Sequence, residues 1–144
     1  MKIITNSLFI GLLMMLFTTL AGAQEIPVKI SSIRSSKGSV VVSVFKDQAS
    51  FDQEKPYKKF TFDKTSVNNG AMTVKLAIEP GIYGITLFDD ENGNGKIDKN
   101  FIGIPKEGFG FSNFFMEKLK KPGFNDFKVD VKNVPNIQIR VKYL

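Results

Sequence analysis

Residues 72–98 read MTVKLAIEPGIYGITLFDDENGNGKID, and this run decides the fold class. Met72, Val74, Leu76 and Ile78 alternate with Thr73, Lys75 and Ala77. A period of two puts one set on a buried face and the other in water, as in a half-buried strand. Glu79-Pro80-Gly81 is a tight turn, with Pro and Gly in type II positions. Ile82 to Phe88 is the next strand, and it runs straight into an acidic loop.

The flanks repeat the theme. Residues 26–34 alternate, with Ile26, Val28 and Ile30 on one face and Lys29 and Ser31 on the other. Ser35-Ser36-Lys37-Gly38 is turn chemistry, and Ser39 to Phe45 is rich in β-branched residues. These two runs are expected to pair as a hairpin. Residues 46–55 are polar, a loop or a single helical turn. Tyr57 to Phe62, preceded by Pro56 and carrying two lysines, suits an edge strand. Phe101 to Ile104 is expected as a short strand. Residues 105–126 are broken by Pro and Gly, with one helical turn expected at Phe114 to Leu119. Phe127 to Val131 and Ile137 to Tyr143 close the chain as strands. No helix of ten residues is expected. About seven short strands predict an all-β antiparallel sandwich, Ig-like or transthyretin-like, with a small β-barrel as the alternative.

The first 23 residues read as an export leader. Lys2 is the positive end, Leu8 to Leu20 is apolar, and Ala21-Gly22-Ala23 fits the cleavage rule, leaving Gln24 as the new N-terminus. The apolar run is too short to span a bilayer, which takes roughly 20 residues. No Cys follows it, so a lipoprotein anchor on such a residue is not expected. Residues 24–144 then form one domain, periplasmic or secreted, with no transmembrane segment after cleavage. Without Lys2, 19 basic and 14 acidic side chains leave a charge of +5. The lysines are scattered rather than striped among aromatics, which argues against nucleic acid as a partner.

The chain has no His and no Cys. That removes Ser-His-Asp and Cys-His catalysis, zinc sites built on those residues, and disulfides. No catalytic residue is assigned. The chemistry left for a site is that of oxygen ligands.

Residues 88–100 hold four carboxylates, three asparagines and two glycines, in an otherwise basic protein. Asp90, Asn92, Asn94, Gly95, Lys96 and Asp98 fill the first nine places of a calcium loop: oxygens at positions 1, 3 and 5, glycine at 6, a backbone carbonyl at 7 and a ligand at 9. Position 12 should be a bidentate carboxylate and is Phe101, so an EF-hand is excluded. A Ca²⁺ site would need another ligand, with Asp89, Glu91 or Glu107 as candidates. The structural alternative is a plain turn, since Asn-Gly pairs and Asx-turns are what hairpin loops are made of. Crowded carboxylates repel unless a cation, or Lys96 and Lys99, offsets them.

The second candidate is the Phe-rich loop. Phe109, Phe111, Phe114 and Phe115, with Ser112 and Asn113, could form an aromatic ligand or partner surface. The alternative is that these rings are core and Ser112-Asn113 a side-chain-to-backbone turn.

The joined motifs, Gly81-Ile82-Tyr83-Gly84, Phe88 to Asp98, Gly103-Ile104-Pro105-Lys106-Glu107-Gly108-Phe109-Gly110-Phe111-Ser112-Asn113 and Pro122-Gly123-Phe124, resemble the bacterial family of unknown function DUF2141. Asp89 stands where that family often has His, and Gly84 where it often has Ala. The resemblance implies an exported β-rich domain and supplies no activity. The functional expectation is a non-enzymatic binding module of the bacterial envelope. A protein, glycan or small ligand would dock on the 89–126 face, with Ca²⁺ as the one cofactor expected. The alternatives are a small carboxylate hydrolase acting on a glycan, through Asp89, Asp90, Asp98 or Glu107, and a purely structural envelope protein.

Overall fold

The computed structural model describes residues 22–144. The expected leader therefore lies almost wholly outside the described residues. Among the described residues eight strands form two sheets. The smaller has the order β4-β1-β8 (β4 Met72–Ile78, β1 Gln24–Ser31, β8 Ile137–Arg140). The larger has the order β3-β2-β5-β6 (β3 Lys58–Asp63, β2 Ser39–Phe45, β5 Ile82–Asp90, β6 Phe109–Phe111), with β7 (Lys128–Asp130) also pairing β5. This is a β-sandwich; the two sheets do not close into a barrel.

The alternation read from sequence fixes which faces meet. β4 buries Met72, Val74, Leu76 and Ile78 and exposes the residues between them. Tyr83, Ile85 and Leu87 of β5 face them from the other sheet, and Val40, Val42 and Val44 join the same core. Burial of each such side chain is worth about 1.5–3 kcal/mol. All these core residues lie between Ile26 and Val141, so residues 24–144 hold both sheets and the packing between them.

The expected hairpin of residues 26–34 with 39–45 does not form. β1 pairs antiparallel with β4 (Val28 opposite Val74) and parallel with β8 (Val28 opposite Ile137). β2 pairs β3 and β5 in the other sheet. Residues 32–38 are therefore a crossover between layers, helped by positive φ at Ser32 and Gly38. Both strands bury apolar residues, and local pattern cannot tell side-by-side pairing from face-to-face packing. β3 does lie at the sheet edge.

Three smaller expectations fail along the long loop. Residues 101–104 are a turn: the Asn100 side chain accepts the N–H groups of Ile102 and Ile104, at 3.0 and 2.9 Å, and Phe101 is fully exposed. No helix forms at 114–119; the helical turns are α1 (Gln48–Asp52), capped by Asp47, and α2 (Phe124–Phe127). Within the supposedly irregular stretch, β6 pairs β5, while the backbones of Phe109 and Lys142 bond each other beside β8. β6 thus joins the two sheets at one edge.

On the outer face of the larger sheet, Phe45, Phe51, Phe124 and Phe127 make a second, smaller core with Phe111 and Phe114 against it. Gly84 lies beneath it. A β-carbon there would sit 2.6 Å from the Phe127 ring and 2.9 Å from that of Phe124, so the rings occupy the space an Ala would need.

Candidate functional site

β5 delivers Asp89 and Asp90 to opposite faces of the sheet. Asp90 is almost fully buried, and its two oxygens accept the Asn94 and Gly95 N–H groups at 3.1 and 2.8 Å. Gly95 sits at φ +74°, a conformation side chains resist. Asn92 Oδ1 accepts the Asn94 N–H at 3.2 Å, and Asn94 Oδ1 accepts the Lys96 N–H at 2.9 Å. These nested Asx-turns wind residues 90–96 into a tight coil.

The remaining side-chain atoms of the coil converge on Asp98. Asn92 Nδ2 donates to its carboxylate at 2.6 Å, and Asn94 Nδ2 donates to both its oxygens at 3.0 Å. Loop positions 3, 5 and 9 are thereby gathered together. The Lys96 side chain stays outside this group and is exposed; its place in a calcium loop would be filled by its backbone carbonyl.

Glu107 enters from the other limb. The Lys106 N–H donates to the Asp98 carbonyl at 2.8 Å, and this closes residues 98–106 into a ring. Glu107 Oε2 then accepts the Asp98 N–H at 3.1 Å. Glu107 is 6% exposed, and its Oε1 has no hydrogen-bond partner. Among the described residues it is the one buried side-chain oxygen or nitrogen left so. Burial raises the Glu107 carboxyl above the usual range, against the Asp98 N–H bond; the charges of Asp98, Asp90 and Asp89 raise it further. An unpaired buried acceptor costs about 1–3 kcal/mol, and more when charged. Glu107, Asp98, Asn92 and Glu91 line a polar recess of about 430 Å³ with Arg34 and Lys106. Among the described residues no three acidic side chains stand together as a ready-made metal cluster. A cation here would draw on amide and carbonyl oxygens as well as on Asp98 and Glu107.

The other two candidate ligands are committed elsewhere. Asp89 is fully buried, 2.5 Å from the equally buried Lys64 ammonium, and accepts the Tyr143 hydroxyl at 2.5 Å. It faces the sandwich interior, away from the loop, so it is neither a free ligand nor an accessible acid. Burial, then the bond to Asp89, pushes the Tyr143 phenol well above its ordinary pKa. Glu91 takes the Arg34 guanidinium at 2.7 Å and the Ser35 hydroxyl at 2.9 Å. Burial lifts the Glu91 carboxyl, but the bonds from Arg34 and Ser35 outweigh it and hold the group below its usual range. Nothing in the local sequence pattern pointed to Lys64, Tyr143 or Arg34, which lie 25, 54 and 57 residues from their partners.

The Phe-rich loop divides. Ser112 is fully buried: its hydroxyl accepts the Ile85 N–H at 3.0 Å and donates to the Phe127 carbonyl at 2.6 Å, so it ties β5 to the end of α2 and presents nothing to a ligand. Asn113, at φ +50°, accepts the Gln138 N–H at 2.8 Å through its side chain. Phe115 is half-buried under the Arg140 guanidinium, 3.3 Å from its ring centre. Phe114 packs edge-on against Phe111. Phe109 and Phe111 line an apolar groove of about 870 Å³ on the outer face of the larger sheet. One wall of that groove is the loop itself, through Gly95, Lys96 and Ile97. The acidic coil therefore has the polar recess on one side and this groove on the other.

Among the described residues no helix is long and apolar enough to cross a membrane. No curated protein matches the chain, and no solved structure does. Residues 28–139, covering both sheets, the acidic coil and Glu107, match the family described as "Uncharacterized protein conserved in bacteria (DUF2141)". The chain belongs to the DUF2141 family.

Proposed function

We propose that this protein is an exported, non-enzymatic binding module of the bacterial envelope, whose acidic coil takes a calcium ion and thereby fixes the 89–126 segment as a ligand surface. The observation that carries the reading is Glu107 Oε1, a carboxylate oxygen buried beside Asp98 without a partner. Glu107 supplies from outside the nine-residue motif the carboxylate that Phe101 cannot. Each Asn oxygen has two lone pairs, only one of them used on a backbone N–H, so both can also face a cation. Hard oxygen donors of this kind suit Ca²⁺. Holding the coil would spare the ordering entropy of the segment it anchors when a ligand docks.

Calorimetric titration of calcium into residues 24–144 tests the site. The expected result is one ion per chain at the weak extracellular end, a Kd of about 10⁻⁴–10⁻³ M, with magnesium weaker. Absence of calcium heat at millimolar concentration would overturn the reading. N-terminal sequencing of protein made in a bacterial host tests export; Gln24 is the expected first residue.

The raised Glu107 carboxyl beside Asp98 also suits the carboxylate-hydrolase alternative. The two readings part on calcium: a hydrolase keeps its acid–base pair under chelation and releases sugar from a glycan, whereas the binding module turns nothing over.

A further inference from the structure

The groove on the outer face of the larger sheet names a ligand class for this module. Its floor is a cross-strand row: Lys59, Ser43, Thr86 and Phe111 lie side by side on β3, β2, β5 and β6. The small Ser43 and Thr86 leave a trough between larger apolar neighbours. Phe45 and Phe51 bound it toward the aromatic cluster, Phe88 and Phe109 toward the acidic coil, and Leu119, 69% exposed, stands at its rim. At about 870 Å³ the groove falls in the range of small-molecule sites, roughly 300–1,000 Å³.

Four lysines and a single acidic side chain, Glu54, line it. Of the four lysines lining it, Lys99 is paired with Glu54 at 3.2 Å and Lys121 with Asp52 at 3.4 Å. Lys59 donates only to a neutral acceptor, the Gly95 carbonyl, at 3.2 Å. Among the described residues Lys96 forms no ion pair. Two unneutralised ammonium groups thus stand at the coil side of an apolar trough. We propose that the groove binds a single-chain amphiphile with an acidic head, a long-chain carboxylate. The chain lies along the Phe-lined trough, and the head sits between Lys59 and Lys96, within the polar reach of Ser43 and Thr86. This inference rests on the binding-module reading but not on the calcium ion.

Calorimetry in excess chelator, which keeps the calcium reading out of the result, tests it with dodecanoate and with dodecyltrimethylammonium, the same tail under the opposite charge. Saturable one-to-one binding is expected, with dodecanoate favoured about tenfold or more. The Lys59→Glu/Lys96→Glu variant should lose that preference while still unfolding in one cooperative transition. Lys96→Glu alone, at an exposed loop position, carries the test where the double variant does not fold. Leu119→Asn, which removes apolar contact without adding charge, should weaken both probes alike. Equal affinity for the two probes, no saturable binding, or a preference that survives Lys96→Glu would overturn the proposal. So would sedimentation showing a dimer that Leu119→Asp dissolves, which would give the groove to a second copy of the chain.

Discussion

Asp89 and Asp90 are neighbours in sequence and opposites in setting. Asp89 turns into the sandwich, where a buried ammonium and a phenol answer its charge. Asp90 turns into the coil, where backbone N–H groups of Asn94 and Gly95 answer it. The region around Asp89 is closed, every polar atom paired. The region around Asp90 leads through Asp98 to Glu107, whose Oε1 is paired with nothing. A completed network reads as structure and an uncompleted one as a site, and one residue step along β5 separates the two. The difference follows from strand geometry: successive side chains leave a strand on opposite faces.

The sharpest break in the closed region is Lys64→Met, which strands a buried carboxylate. It should cost about 3–5 kcal/mol in denaturant unfolding, and Asp89→Leu in the same chain should restore most of the loss. Were the double variant as unstable as the single one, the pair would not be acting as a unit. Tyr143→Phe removes one bond to a charged acceptor, and chemical unfolding should register about 1.5–3 kcal/mol.

In the open region the expected effects on stability are smaller and those expected on calcium binding larger. Asp90→Ala releases two backbone N–H groups, for about 0.5–2 kcal/mol by analogy with a lost helix cap, and should abolish the calcium response. Glu107→Gln should leave the calcium-free midpoint unchanged or slightly raised, because it removes a buried charge among acidic neighbours. Differential scanning calorimetry with and without chelator reads both variants.

The sandwich was legible because alternation is local. The Met72–Ile78 pattern states its buried face outright, and Pro56 with its lysines marks an edge. Which strand lies beside which was not legible: β1 and β2 look like a hairpin, and only the assembled layers reveal a crossover. β6 hid among glycines because three residues carry no period. The site shows the same division. The coil from Asp90 to Asp98 was readable from spacing, since its bonds span six residues or fewer. The roles of Asp89 and Glu91 were not, because Lys64 and Arg34 reach them through the fold. Ser112 resembled a surface turn residue and is a buried tie between β5 and α2 for the same reason.

Thermal unfolding of residues 24–144, unaltered and carrying Glu107→Gln, in millimolar calcium against excess chelator with magnesium as control, tests the central claim most directly. A ligand that binds only the folded state must raise the midpoint. A calcium-specific rise in the unaltered chain that disappears in Glu107→Gln is the predicted result. No rise in the unaltered chain, or an equal rise in both, would contradict the assignment of Glu107 and the coil as a calcium site.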